Sequence, residues 1–588
     1  MNDSISHITD FVFPTKYLPP LFSNSSVLEI IDTIYTNLGS FEDLIKIYFD
    51  YNDNTKKITS FNTKRNLVYN SSKGIEPINF TTTKMDENTR TFSVANPLIL
   101  LTLHYYLLEN HTDILAEQEA ETDSYISNSK FSYKENEIYF DNNYNGEAIL
   151  DAEYLDPENL EDDYPITTER ILEQPSYLNA AKKSVIKANG GYFRLQMDIS
   201  NFFNNIYTHS ISWDLKNAAK RTMFENLDIL TRTLNSNETK GIITGPYTSN
   251  LFSEIILSKI DKVIVKKCEE LEISYVRYCD DFSFYGDSEE DLKKIQFEVE
   301  KELSKYRLDI NPNKTKITEF PFYVSEFSAK KVVKSLEKML ENENINQEEE
   351  LELMETIVNS LENGIKNRYT DCNYILRYLI STFDYKFKDE DHAEILLDYL
   401  INMLFKYDII SKNLSELIIK VVIDNNIDKE KMVTKLLKKK KTVIKTQKDI
   451  TEIFISYIII KMNVVNNEII DFFKENILKN ELVSIIALEF IHKNNLVIKL
   501  KKEIVQLIKK MDKELNENYG GDRFFQAYYS RYWLFLFRNY TKYHLENING
   551  FKGILKKYMI IDDPEYVTGK LKIFKILKDL DVNFIEDI

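Results

Sequence analysis

The stretch from Tyr275 to Tyr285, Tyr-Val-Arg-Tyr-Cys-Asp-Asp-Phe-Ser-Phe-Tyr, constrains the chain more than any other. Two aromatic and β-branched runs flank an Asp-Asp pair, the pattern of a β-hairpin whose tip presents two carboxylates. Neighbouring like charges on a strand turn repel, so such a pair calls for compensation. A divalent cation supplies it, because Mg²⁺ takes hard oxygen ligands and is commonly held by one or two carboxylates together with substrate phosphates. A lone Asp-Asp is also met as a solvated acidic turn, and a third carboxylate brought in from elsewhere separates the two readings.

Tyr192-Phe-Arg-Leu-Gln-Met-Asp-Ile-Ser-Asn-Phe-Phe203 provides one. Phe193, Leu195 and Met197 alternate with polar neighbours, which predicts a half-buried strand ending at Asp198. A carboxylate at a strand end and a pair on a neighbouring hairpin can converge from far apart in sequence. Two metal ions about 3.5–4 Å apart then activate an attacking hydroxyl and stabilise a leaving pyrophosphate. This is the arrangement of nucleotidyl transfer.

These residues resemble the palm of reverse transcriptases. Asp198 matches motif A, Gly241-Ile-Ile-Thr-Gly-Pro-Tyr-Thr-Ser249 is similar to motif B, and Tyr278-Cys-Asp-Asp281 matches the Tyr-x-Asp-Asp of motif C. Leu308-Asp-Ile-Asn-Pro-Asn-Lys-Thr-Lys316 resembles the segment that follows, and all four stand in the family's order. The phrase from Asp198 to Trp213, with its Tyr-Thr-His-Ser-Ile, further resembles the abortive-infection (Abi) phage-defence reverse transcriptases of the AbiK kind. The resemblance covers about the first 325 residues, and the remainder only in character.

With 588 residues the chain exceeds one ordinary core, so two or more domains are expected. A hydrophobic content of 43%, of which aromatics supply 13%, is that of a globular protein. The net charge of −18 is unusual for an enzyme that grips long duplexes by neutralising phosphates, although local patches count for more than totals. Three cysteines, Cys268, Cys279 and Cys372, without metal-ligand spacing point to a reducing compartment. The N-terminus lacks a basic, apolar leader, and no apolar run approaches the roughly 18 residues of a membrane span. A cytoplasmic protein with no membrane contact is expected.

Residues 1–185 are read as an N-terminal and fingers region with an acidic insertion at 111–185, residues 186–325 as the palm, and 326–588 as an α-helical domain. The fold class expected is α+β: reverse-transcriptase fingers and palm followed by an all-α, HEAT-like helical repeat domain. From about residue 326 no proline occurs until Pro564, and amphipathic segments succeed one another at Ala393–Phe405, Leu414–Ile423, Ile453–Lys461, Ile469–Leu478 and Glu481–His492. Abi reverse transcriptases carry such a domain in place of a thumb.

The resemblance implies roles residue by residue. Asp198, Asp280 and Asp281 would hold Mg²⁺ (or Mn²⁺) and carry catalysis. Lys84 and Arg90, either side of a short turn, would share the charge of an incoming dNTP, the alternative being two solvated turn charges. Phe203, five residues after Asp198, would block a ribose 2′-hydroxyl, or else serve the core. Gly245 would admit the nascent base pair for want of a Cβ. Thr244 stands where the family has a Gln that positions the template. Lys314 would neutralise pyrophosphate or act as a general acid. Family resemblance further implies untemplated synthesis of single-stranded DNA that is primed by, and stays attached to, a protein hydroxyl, with Tyr35, Tyr48 and Tyr51 as candidates, in a homo-oligomer. Two other readings stand beside it. One is a conventional RNA-templated enzyme. The other is a helical effector in which Arg538, Asn539 and His544 echo the HEPN ribonuclease spacing. The lysines from Lys435 to Lys448 and the aromatic block from Arg523 to Tyr540 read as a solvated helix face and a buried helix, or as surfaces that track a single strand.

Overall fold

The computed structural model describes residues 10–61, 75–83, 89–110, 113–114, 132–134, 171–173, 191–213, 215–322, 326–340, 347–367, 369–382, 386–443, 449–519 and 524–586. The acidic stretch at 111–185 lies almost entirely outside the described residues, as does Lys84.

After one helical turn, Ser25–Leu28, the N-terminal region has two short helices, Ile31–Leu38 and Phe41–Tyr48. Gly39, at φ +79°, turns the chain between them, and the Ser40 side chain caps the second by accepting from the Asp43 amide. Two antiparallel hairpins follow: β1 (Phe49–Asn52) with β2 (Lys57–Phe61), and β3 (Ile78–Thr83) with β4 (Thr89–Val94). The helix Pro97–Glu109 opens with Asn96 as cap and proline in its first turn, and it is apolar nearly all round because the surrounding elements bury it. A short pair, β5 (Ser132–Lys134) with β6 (Ile171–Glu173), precedes the central sheet.

That sheet holds β7 (Phe193–Asp198), β8 (Ser274–Tyr278), β9 (Asp281–Gly286) and β10 (Lys316–Glu319) in the order β10-β7-β9-β8, every pair antiparallel. Of the helices Ala218–Leu234, Tyr247–Glu270 and Glu289–Lys305, the last two pack against this sheet and the first against β2 and the helix Pro97–Glu109. The third turns Leu292, Ile295, Val299 and Leu303 inward, all four without solvent exposure, as their helical spacing predicts. The α+β class expected of this region is the one found.

Beyond residue 326 the described elements are helical. Tyr369–Thr382, Ser411–Asp424, Asp449–Met462 and Glu481–Lys493 stack successively in one layer, while Gln347–Asn367, Glu390–Lys406, Lys429–Val443 and Asn467–Asn476 stack in a second. The aromatic block does not form one helix. It breaks into a 3₁₀ turn (Phe524–Tyr529), a short α-helix (Trp533–Arg538) and a π turn (Asn539–Tyr543). At the first break the Ser530 hydroxyl donates to the Ala527 carbonyl at 2.7 Å and accepts from the Tyr532 amide at 3.2 Å, bonds that compete with the helical ladder. Among the described residues no helix is long and apolar enough to cross a membrane.

The C-terminal residues return to the N-terminal ones. Phe22 and Ile585 form a β-bridge, and the Phe584 ring packs 6.1 Å from Phe13, 5.2 Å from Trp533 and 5.5 Å from Phe537. Two lysines add caps: Lys572 donates to the Leu38 carbonyl and Lys570 to the Ile47 carbonyl, each at 2.6 Å, near the ends of the first two helices. Phe584→Ala should therefore lower stability by about 3–5 kcal/mol, read as a shifted denaturation midpoint. Ile498→Ala, at a side chain 71% exposed, should stay within about 0.5 kcal/mol.

Candidate active site

β7 and β9 lie in a register that sets Asp198 directly opposite Asp281, and β8 meets β9 with Tyr278 opposite Asp281. Cys279 and Asp280 are thus the two residues of the hairpin turn, Cys279 with φ +52°, a left-handed value that tight two-residue hairpins favour. Asp198 and the pair Asp280–Asp281, which begins 82 residues later in the sequence, meet at one end of the sheet. The turn is tied to β7 by the Ile199 amide, which donates to the Asp280 carbonyl at 3.2 Å.

The segment that leads into β10 closes the other flank. Asn311 donates its amide to the Asp198 carbonyl at 2.7 Å, and Lys314 Nζ reaches Asp198 Oδ1 at 2.9 Å. Lys314 is therefore the counter-ion of Asp198. Partial burial pulls its pKa down, but the bond to Asp198 and the charges of Asp281 and Asp280 outweigh that and raise it.

Like charge dominates the rest. The Asp280 carboxyl stands above its ordinary range, through burial first and repulsion from Asp198 second, with the Arg90 guanidinium acting the other way. Asp281 is exposed as a residue, yet its carboxyl is poorly solvated, and that together with Asp280 and Asp198 pushes it up to about 7 while Lys314 draws it down. Here is the uncompensated negative charge that a hard divalent cation would relieve. Among the described residues no group of three or more His, Cys, Asp or Glu side chains is drawn together as a metal cage. The donor set fits Mg²⁺ in its other common manner, with carboxylates on one side and phosphate oxygens on the other.

Beneath the hairpin lies a network that reading the sequence passed over. Arg277, without solvent exposure, grips Glu254 at 2.8 and 3.0 Å and Asp261 at 2.7 Å, and both carboxylates belong to the helix Tyr247–Glu270. Tyr275 donates to Asp261 at 2.6 Å, and Arg277 Nη1 donates to the Cys279 carbonyl at 2.8 Å. The guanidinium thus anchors the turn bearing Asp280 to a rigid helix. The available signal was a helix carrying Glu254 and Asp261 seven residues apart, about two turns, and hence on one face.

Other expected residues stand as follows. Arg90 lies on β4, and its charge acts on Asp280. Phe203 is half-buried, its ring 5.4 Å from that of Phe202, and its carbonyl accepts from the Ile242 amide. A Cβ on Gly245 (φ +145°) would come within 2.8 Å of the Ser93 carbonyl and 3.2 Å of Pro14. This packing by itself requires a glycine, and the Ser93 amide also donates to the Thr244 carbonyl at 2.9 Å.

Two further expected residues stand in surroundings that do not suit the roles given them. Tyr35 is buried, its hydroxyl bonded to the wholly buried His104 and its ring 4.8 Å from Tyr105. Burial also raises the Tyr35 pKa and holds His104 down to about 3, neutral. Arg538 is 7% exposed and committed to Glu489 and Asn583, each at 2.6 Å, whereas His544 faces solvent in a left-handed turn. The Arg538 guanidinium is thus spent on structural partners.

Residues 158–351 match the family described as Reverse transcriptase (RNA-dependent DNA polymerase), a span that takes in β7 to β10 and all three aspartates. Over 127 residues the chain is 28% identical to the Retron Ec48 reverse transcriptase of Escherichia coli, covering 21% of this chain and 30% of that one. Over 136 residues it is 31% identical to the Retron Ec83 reverse transcriptase of the same organism, covering 21% and 42%. The chain thus spans less than half the length of these relatives. Among solved structures, apo telomerase from Candida Tropicalis aligns at 11% identity over 69% of each chain with a TM-score of 0.28, a likeness too loose to bear on the reading. The centre of the chain carries a reverse-transcriptase domain, the domain of a nucleotidyltransferase.

Arg277→Met strands two buried carboxylates and should cost about 3–5 kcal/mol, visible as an earlier unfolding midpoint. A carboxyl whose pKa is higher in the folded than in the unfolded chain costs stability once ionised. For Asp281 that cost grows as pH rises from about 4 to about 7 and is complete above. Asp281→Asn should therefore stabilise the metal-free protein most above pH 7, with the gain shrinking towards pH 4 in thermal melts.

Proposed function

We propose that the chain is a DNA polymerase that joins dNTPs at the Asp198, Asp280 and Asp281 cluster. The observation that carries this is the register that sets Asp198 opposite Asp281, with Asp280 on the adjoining turn and Arg90 acting on it from β4. Mg²⁺, or Mn²⁺ in its place, would be held by these carboxylates and supplies a charge that activates the attacking hydroxyl and steadies the leaving pyrophosphate. Arg90 takes a share of the triphosphate charge with bidentate geometry, and Lys84 is assigned the same task. Lys314, held protonated by its neighbours, keeps Asp198 oriented and offers positive charge as pyrophosphate departs. Phe203 is assigned to excluding a 2′-hydroxyl.

Synthesis without a template, primed by a protein hydroxyl and acting in phage defence by abortive infection, is the fuller reading. It is supported by Thr244 where a template-positioning Gln would stand, and by the motif-B loop being stitched to β4 and to residues 10–14. The two-layered helical array, of the HEAT-like kind, takes the place of a thumb and offers surfaces for a homo-oligomer. Tyr35 and Tyr48 are both buried, whereas Tyr51 shows a half-exposed ring beside Lys46. The match to retron reverse transcriptases favours a second reading, copying of an RNA template.

Purified protein given labelled dNTPs and Mg²⁺, without primer or template, should yield label that migrates with the protein until protease releases it. Peptide mapping of that product identifies the priming residue. Label that needs added RNA and primer establishes the second reading. Asp198→Asn and Asp280→Asn should each lower incorporation by about 10³-fold or more; retained activity in either would remove the site assignment.

A further inference from the structure

The hairpin of β3 and β4 that carries Arg90 is held by the helical half of the chain. Among the described residues β3 pairs with β4 alone, which leaves its other side an edge. Two of its amides are taken up by carboxylates more than 300 residues away in sequence. The Thr81 amide donates to Asp449 Oδ2 at 3.0 Å and the Thr81 hydroxyl to the same oxygen at 2.8 Å, while the Thr83 amide donates to Asp408 Oδ2 at 3.1 Å. The two donor amides stand two residues apart along β3, the period of an edge, so two side chains do the work of a neighbouring strand.

Both carboxylates are mounted on the array's own framework. Asp449 is the first residue of the helix Asp449–Met462, and Asp408 opens the 3₁₀ turn Asp408–Ile410. Asp408 is 4% exposed, and its other oxygen accepts from Thr451 at 3.4 Å, on the same helix as Asp449. The residue between the two gripped amides, Thr82, is the cross-strand partner of Arg90. A shift of β3 at Thr81 or Thr83 therefore moves Arg90, whose charge acts on Asp280.

We infer that Asp408 and Asp449 are positioning residues for nucleotide binding: the helical array sets the place of Arg90 relative to the acidic cluster by gripping the free edge of β3. The inference rests on the reading of the cluster as a site of DNA synthesis. It ties dNTP affinity to the state of the array, so whatever bends the array alters nucleotide binding without touching the carboxylates that do the chemistry.

Asp449→Ala and Asp449→Asn in the full chain separate the grip from general folding, since Asn keeps an acceptor oxygen. Two readouts are needed: hydrogen–deuterium exchange of peptides covering β3 and β4, and KM and kcat for dNTP incorporation with Mg²⁺. Loss of a charge-assisted bond should speed exchange at β3 and raise KM by about tenfold each in Asp449→Ala, with kcat held within about twofold and Asp449→Asn close to wild type. Unchanged exchange or unchanged KM in a folded Asp449→Ala overturns the inference, as does an equal loss in both variants. Should Asp449→Ala fail to fold, Thr81→Val removes the hydroxyl bond alone and should show the same split at smaller size; a flat result there overturns it equally. A wild-type chain that incorporates no nucleotide at all removes the proposed reaction, and the exchange experiment still decides whether the grip exists.

Discussion

The pairing of β7 with β9 is the constraint on which the rest depends. Side chains alternate along a strand with a period of two, so a slip of one residue would turn Asp198 to the opposite face from Asp281. The apolar partners prevent it: Leu195 sits opposite Phe284 and Met197 opposite Phe282, all buried, and a slipped register would expose them. Hydrophobic burial thus holds together three carboxylates that would separate if left to their own repulsion.

A sheet end that collects negative charge needs rigid support, and the support is itself ionic. Arg277 takes up two carboxylates of the neighbouring helix and the carbonyl of the turn, all in a desolvated interior where a partner lost is costly. Its contribution is one of position more than of stability. The same logic recurs further out, where Asp408 and Asp449 hold β3 and where lysines from the last segment cap the first helices. Polar contacts of fixed geometry orient the parts, and apolar clusters such as that around Phe584 supply the cohesion.

The helical half is therefore more than an appendage to the sheet. It touches the N-terminal region at several places, among them β3, the ends of the helices at Leu38 and Ile47, and the bridge of Phe22 with Ile585. Between them the chain folds back so that its described ends meet, and elements remote in sequence come to share one apolar cluster.

Much of this was legible in the residues themselves. Alternation of Phe193, Leu195 and Met197 announced β7, the spacing of Leu292, Ile295, Val299 and Leu303 announced a helix, and the Asp-Asp between aromatic runs announced a hairpin tip, because local periodicity reports directly which face is buried. What composition and spacing do not encode is which side chain fills a given space. Tyr35 looked like any N-terminal tyrosine until packing placed its hydroxyl on His104. The sequence does not show that a Cβ on Gly245 would meet Ser93 and Pro14, or that Glu489 stands against Arg538. Sequence by itself determined the elements and the acidic motif. Only the tertiary structure decided burial, partners and the grip on β3, because those arise where segments hundreds of residues apart compete for the same volume and the same hydrogen bonds.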